Sequence, residues 1–231
     1  MDNYRRKTKI ICTIGPASCE KNVLKELMLS GMNVARFNFS HGDYETFEQW
    51  FHNVCGVRDE LGAPVATLLD TKGPEIRLGT FAASDGVEVK NGDTYVLTTE
   101  EIEGDEKKCS VSYKNLPNEI KKDTRILIND GLISMVVTEI HNNEIVCRVE
   151  DGGILTDHKG VNVPNVSLAM PYLSEKDMQD LKFGAKLGYD FIAASFCRTE
   201  ADIAYLRNFC HALGWNDVRI IAKIENYEGV E

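Results

Sequence analysis

The chain has 231 residues, 43% apolar and 27% charged, the proportions of a folded soluble protein of one large or two small domains. Its apolar runs fall well short of the ~18–20 residues that span a bilayer. The 36 acidic against 26 basic residues, net −10, argue against nonspecific binding to nucleic acid or an acidic membrane surface. Seven cysteines without a CxxC pair suggest neither a zinc site nor a disulfide framework, so reduced thiols in a cytoplasmic, unprocessed protein are expected.

From Lys7 onward short apolar runs alternate with amphipathic stretches, the pattern of βα units around a parallel sheet. Residues 9–14 read as a first strand, 22–30 as a helix stopped by Gly31, and 33–37 as a second strand. The next helix sets Phe47, Trp50, Phe51, Val54, Val57 and Leu61 on one face before Gly62, and 65–69 is a third strand. These strands are nearly continuously apolar, as expected for strands buried on both faces.

Between 73 and 159 the pattern changes. Short β-type runs at 95–99, 125–128, 135–140 and 145–149 are separated by the turn signals Asn91-Gly92, Asn129-Asp130-Gly131 and Asn142-Asn143. This predicts a small all-β domain inserted into an α/β one. The insertion holds 17 acidic and 10 basic residues, most of the net charge, and its cluster Glu100, Glu101, Glu103, Asp105 and Glu106 reads as a solvated loop. Two helices then open on capping-box patterns, Ser174 with Asp177 and Thr199 with Asp202, and strands follow at 191–195 and 218–224. The expected division is 1–72, 73–159 and 160–231. The insertion is 87 residues long and leaves 144 of 231, enough for four to five βα units, whereas a complete eight-stranded barrel takes about 250.

Ligands of parallel α/β folds bind at the carboxyl ends of strands, and these ends are polar here. The second runs into Arg36-Phe37-Asn38-Phe39-Ser40-His41, in which Arg36, Asn38 and Ser40 share a side if the extended conformation persists. The third runs into Asp70-Thr71-Lys72-Gly73-Pro74-Glu75-Ile76-Arg77, the fourth into Ser195-Phe196-Cys197-Arg198, and the fifth into Lys223-Ile224-Glu225. Lys223 and Glu225 read equally as a catalytic pair and as a structural ion pair closing the barrel mouth. Taken together, basic groups for phosphates, hard oxygens for cations and no Cys or His nucleophile with a partner base point to metal-assisted phosphoryl transfer. No P-loop or GxGxxG is present.

In residues 8–18, 35–42, 69–77, 159–164, 173–177 and 223–229 the chain resembles the pyruvate kinase family. The resemblance implies a (β/α)8 TIM-type barrel, incomplete here with about five of eight strands, interrupted after its third strand by a β-rich lid. It implies phosphoryl transfer between phosphoenolpyruvate and ADP, giving pyruvate and ATP, with Mg2+ (or Mn2+) and K+, in a homotetrameric parent enzyme. Matched position by position, Lys223 corresponds to the lysine that stabilises the transition state, Arg36 to the arginine that holds the substrate phosphoryl group, and Glu225 to a Mg2+ ligand. Asn38, Ser40, Asp70 and Thr71 correspond to the K+ site, and Asn38, His41, Arg77 and Lys159 to nucleotide-contacting positions. Ser195 and Lys72 are nearby polar residues, Ser195 on the substrate side. The family's second Mg2+ ligand and its enol-protonating threonine belong to segments that would follow Glu231. Two other readings are weighed: an inert fragment serving as a binding module, and a keto-acid lyase barrel. The lyase fits the Lys223/Glu225 pair but not the insertion or Asp70-Thr71-Lys72.

Overall fold

The computed structural model describes residues 7–40, 42–226 and 228–230. They divide into two compact units, one of residues 7–74 with 171–230, the other of Glu75–Met170.

The first unit begins with β1 (Ile11–Thr13), α1 (Lys21–Ser30), β2 (Val34–Asn38), α2 (Tyr44–Leu61) and β3 (Ala66–Asp70). Both helices end on left-handed glycines, Gly31 and Gly62, which satisfy terminal carbonyls at no Cβ cost. Asp43 caps α2 by accepting a hydrogen bond from the Thr46 amide at 2.9 Å.

The second unit carries β4 (Ile76–Arg77), β5 (Val87–Val89), β6 (Thr94–Thr98), β7 (Lys108–Ser110), the one-turn helix α3 (Leu116–Glu119), β8 (Arg125–Ile128), β9 (Ile133–His141), β10 (Glu144–Asp151), β11 (Gly153–Leu155) and β12 (Gly160–Asn162). Seven strands form a sheet in the order β4-β12-β8-β9-β10-β6-β7, with β11 and β5 as a separate pair. A Leu78–Val111 bridge, with Gly79 N–H donating to the Ser110 carbonyl at 2.8 Å, joins the two ends of the large sheet and covers its edges. All four β runs read from the sequence lie in strands, except that β6 ends one residue short, at Thr98. The turns between them use left-handed residues at Gly92, at Asn129, Asp130 and Gly131, and at Asn142. The unit extends beyond residue 159 because β12 pairs with both β4 and β8, and Val161 and Val163 join its core.

The chain then returns to the first unit with α4 (Glu175–Leu187), β13 (Phe191–Ala194), α5 (Glu200–Ala212) and β14 (Arg219–Ala222). All five strands of this unit are parallel, in the order β1-β2-β3-β13-β14. They form an incomplete βα barrel. α4 opens on the predicted reciprocal box of Ser174 and Asp177. The box predicted for α5 forms only in half: Thr199 accepts from the Asp202 amide, but the Asp202 carboxylate turns to the Arg198 guanidinium, with Nε at 3.1 Å.

The core on the helix side of the sheet is aromatic. Tyr189 meets Phe37 edge-on at 5.3 Å and Phe51 at 4.7 Å, and Phe39 stacks on Phe47 at 4.4 Å. The outer strands depart from the expectation of burial on both faces. Among the described residues β1 and β14 pair on one side only, which leaves Ile11 50% and Ile221 40% exposed. No helix among the described residues is long and apolar enough to cross a membrane.

Candidate active site

The carboxyl ends of β2, β3, β13 and β14 bring Arg36, Asp70, Ser195 and Lys223 together. Strand order explains the meeting: Arg36 lies on β2 beside β3, and β13 lies between β3 and β14, so residues up to 153 positions apart become neighbours. Asp70, 2% exposed, is the centre. Its Oδ2 accepts from Arg36 Nε at 2.6 Å and its Oδ1 from Lys223 Nζ at 3.1 Å. A buried carboxylate is costly unless it is paired, and two cations pair this one while each keeps about a third of its side chain open to solvent.

Ser195 completes the cluster. Its Oγ accepts from Lys223 Nζ at 2.8 Å and donates to the Thr71 carbonyl at 2.6 Å, while its amide donates to Thr71 Oγ1 at 3.1 Å. The next residue, Phe196, has φ of +53°, an uncommon conformation for a bulky side chain. It is held there because its amide donates to Glu225 Oε2 at 2.9 Å. Glu225 Oε1 lies 3.3 Å from Lys223 Nζ, so the two side chains turn to the same side, although both lie just past β14.

Asn38 sits opposite Asp70 in the parallel register of β2 and β3. The strand stops there because Asn38 Oδ1 accepts from the Ser40 amide at 3.1 Å, so the extended conformation does not persist to Ser40. Lys72 makes no ion pair among the described residues. Gly73 turns the chain at φ +73°, and a Cβ there would lie 2.7 Å from the Ser195 carbonyl oxygen. His41 lies outside the described residues.

Arg77 and Lys159 belong to the second unit and are neighbours within it. Arg77 pairs in register with Gly160, and Leu78 N–H donates to the Lys159 carbonyl at 2.9 Å. The Arg77 guanidinium is held by Glu75 at 2.8 Å and by the His158 carbonyl at 2.7 Å.

One contact was missed in the sequence. Thr13, at the end of β1, accepts from Arg36 Nη1 at 2.7 Å and fixes the far side of the guanidinium. A threonine at a strand end is ordinary strand composition and carried no signal. Beneath Ser195, Tyr172 donates to its carbonyl at 3.2 Å and contacts Cys197 Sγ at 3.2 Å. Burial pushes the Cys197 thiol and the Tyr172 hydroxyl up, so neither supplies an anionic nucleophile at neutral pH.

Among the described residues no three His, Cys, Asp or Glu side chains gather as a metal site. The donors present are hard oxygens: Glu225 alone, and separately Asn38, Ser40, Asp70 and Thr71. A single carboxylate suits Mg2+, which takes one or two carboxylates and completes its shell with substrate phosphate and water. The second set, of neutral oxygens with one carboxylate, suits a weakly hydrated monovalent cation.

Five parallel strands with a β-rich unit entering between β3 and β13, and with two cations around a buried carboxylate at the strand ends, define an incomplete βα barrel with an inserted β domain. Residues 5–231 match the family model for the pyruvate kinase barrel domain, and the chain belongs to the pyruvate kinase family. It is 44% identical over 227 residues to a pyruvate kinase of Clostridium perfringens, 46% over 228 residues to one of Geobacillus stearothermophilus, and 43% over 229 residues to one of Trypanoplasma borreli. Each alignment covers 98% of this chain and, in the same order, 48%, 39% and 45% of the relative. The chain thus spans about half the length of the curated relatives it matches, or less.

Proposed function

We propose that this chain supplies the phosphoryl-binding side of a site that transfers a phosphoryl group between phosphoenolpyruvate and ADP, yielding pyruvate and ATP. The observation that carries the reading is the convergence of Arg36 and Lys223 on buried Asp70 at the strand ends. Phosphoryl transfer needs little beyond positioning and charge neutralisation, and two cations held by a fixed carboxylate provide both. Arg36, braced by Thr13 and Asp70, presents a planar fork to the substrate phosphoryl group. Lys223, oriented by Ser195, places a compact charge on the group in flight.

Glu225 would hold Mg2+ or Mn2+, and Asn38, Ser40, Asp70 and Thr71 would hold K+. When bound, these ions add positive charge against the phosphates. Arg77 and Lys159 of the second unit, with Asn38 and His41, would contact the nucleotide, and the second unit would serve as the lid.

The test is pyruvate formation from phosphoenolpyruvate and ADP with Mg2+ and K+, measured for this chain and for the longest open reading frame that contains it. Lys223→Met is expected to lower kcat by roughly 10²–10³-fold, the scale of losing one preorganised electrostatic contact, with the KM for ADP little changed. No turnover in either protein overturns the proposal. Turnover confined to the longer protein leaves this chain as its phosphoryl-binding portion.

A further inference from the structure

The first turn of α4 makes more contacts than a helix start requires. Asp177 closes the capping box with Oδ2, which accepts from Ser174 Oγ at 2.6 Å and from the Ser174 amide at 3.1 Å. Its other oxygen reaches the loop after β3 and accepts from the Gly73 amide at 3.2 Å. Lys176, one residue earlier, turns to the loop after β2, where its Nζ donates to the Phe39 carbonyl at 2.9 Å. The same ammonium pairs with Asp180 at 2.7 Å, and Asp180 in turn accepts from the Tyr44 hydroxyl at 2.7 Å, at the start of α2.

Asp177 and Asp180 are both 0% exposed, the most deeply buried carboxylates among the described residues. Charges this deep are a poor source of stability, since an apolar replacement of the whole pair is often neutral or stabilising. What they contribute is geometry. Phe39 lies between Asn38 and Ser40, and Gly73 follows Thr71 and Lys72, so one helix turn holds the backbone of both polar loops at the barrel mouth.

We infer that Lys176, held by Asp180, is a positioning residue for the site: through the Phe39 carbonyl it fixes the loop from which Asn38 and Ser40 project, as Asp177 fixes the loop of Thr71 and Lys72. The inference rests on the phosphoryl-transfer reading only for the ligand concerned, because the clamp itself is a property of the backbone.

The test compares the wild-type chain with Lys176→Met/Asp180→Asn, in which neither member of the ion pair is left charged without the other and the new side-chain amide still offers an oxygen to the Tyr44 hydroxyl. Amide hydrogen exchange at Ser40 is expected to accelerate roughly tenfold, the effect of losing one charge-assisted hydrogen bond. The Gly73 amide, still held by Asp177, and the amides of β3 serve as controls and keep their rates. Phosphoenolpyruvate affinity, measured by calorimetry, is expected to fall several-fold in the double variant and to stay near wild type in Lys176→Arg. Unchanged Ser40 exchange in a folded double variant overturns the inference, and so does faster exchange with intact phosphoenolpyruvate affinity. Faster exchange when the wild type itself binds no phosphoenolpyruvate supports the clamp and overturns the phosphoryl-transfer reading instead.

Discussion

Asp70→Asn isolates the electrostatics of the site. The substitution keeps size and one acceptor but removes the charge that faces both Arg36 and Lys223. A hydrogen bond to a charged group contributes about 1.5–3 kcal/mol, and because both cations are a third exposed, the two contacts together are expected to lose about 2 kcal/mol. At about 2–4 °C per kcal/mol for a chain of this size, the Tm falls by about 4–8 °C. The freed cations then take up an external anion. Inorganic phosphate at about ten times its Kd returns about 1.4 kcal/mol by mass action, or about 3–6 °C. Wild type gains less, because Asp70 competes for the same two cations. The assay is a thermal melt of both proteins with and without phosphate, with ionic strength matched by chloride to hold screening constant. An unchanged Tm in the variant, or a larger phosphate response in wild type, would refute the reading that Asp70 pairs both cations and competes with an external anion for them.

Other substitutions probe the frame around the site. Gly73→Ala places a side chain at φ +73° and a Cβ 2.7 Å from the Ser195 carbonyl. It is expected to cost roughly 3 kcal/mol, seen as a lower urea midpoint at unchanged m, and an unaltered midpoint would mean that the loop yields freely. Among the described residues the buried Tyr189 hydroxyl finds no hydrogen-bond partner. Tyr189→Phe keeps the ring contacts and removes that hydroxyl, so a gain of about 1 kcal/mol is expected, and a lowered midpoint would contradict it. Asp43 has its pKa lowered by hydrogen bonds from the Thr46 amide and hydroxyl. A depressed carboxyl contributes stability above its unfolded pKa and loses it as pH falls through the folded value. The Tm difference between wild type and Asp43→Ala should therefore be largest at neutral pH and shrink in acid below the usual carboxylate range, and a pH-independent difference would remove the cap from the account.

How much of this was legible in the sequence depended on whether a residue's partner was set by chain direction or by strand order. Arg36, Asp70, Ser195 and Lys223 stood out because each follows an apolar run, and a parallel sheet sends every such end to the same rim. That they share one carboxylate was not legible, since it requires β13 to lie between β3 and β14. The α4 clamp was hidden for another reason. Lys176 and Asp180 have i, i+4 spacing, which reads as a solvated surface pair, and only the packing of α4 against the loops buries one partner completely. The short strands β4, β5, β7, β11 and β12 escaped because backbone bonds carry their pairing and two or three residues cannot display a period. The stretch past residue 159 is the sharpest instance. Val161 and Val163 alternate with polar residues as a strand of either unit would, and what assigns them is the main-chain ladder of β12 to β4 and β8, to which side-chain pattern contributes nothing. Polar rims are readable wherever direction alone decides which end of a strand a residue occupies, whereas contacts between rims become readable only once neighbouring strands are known.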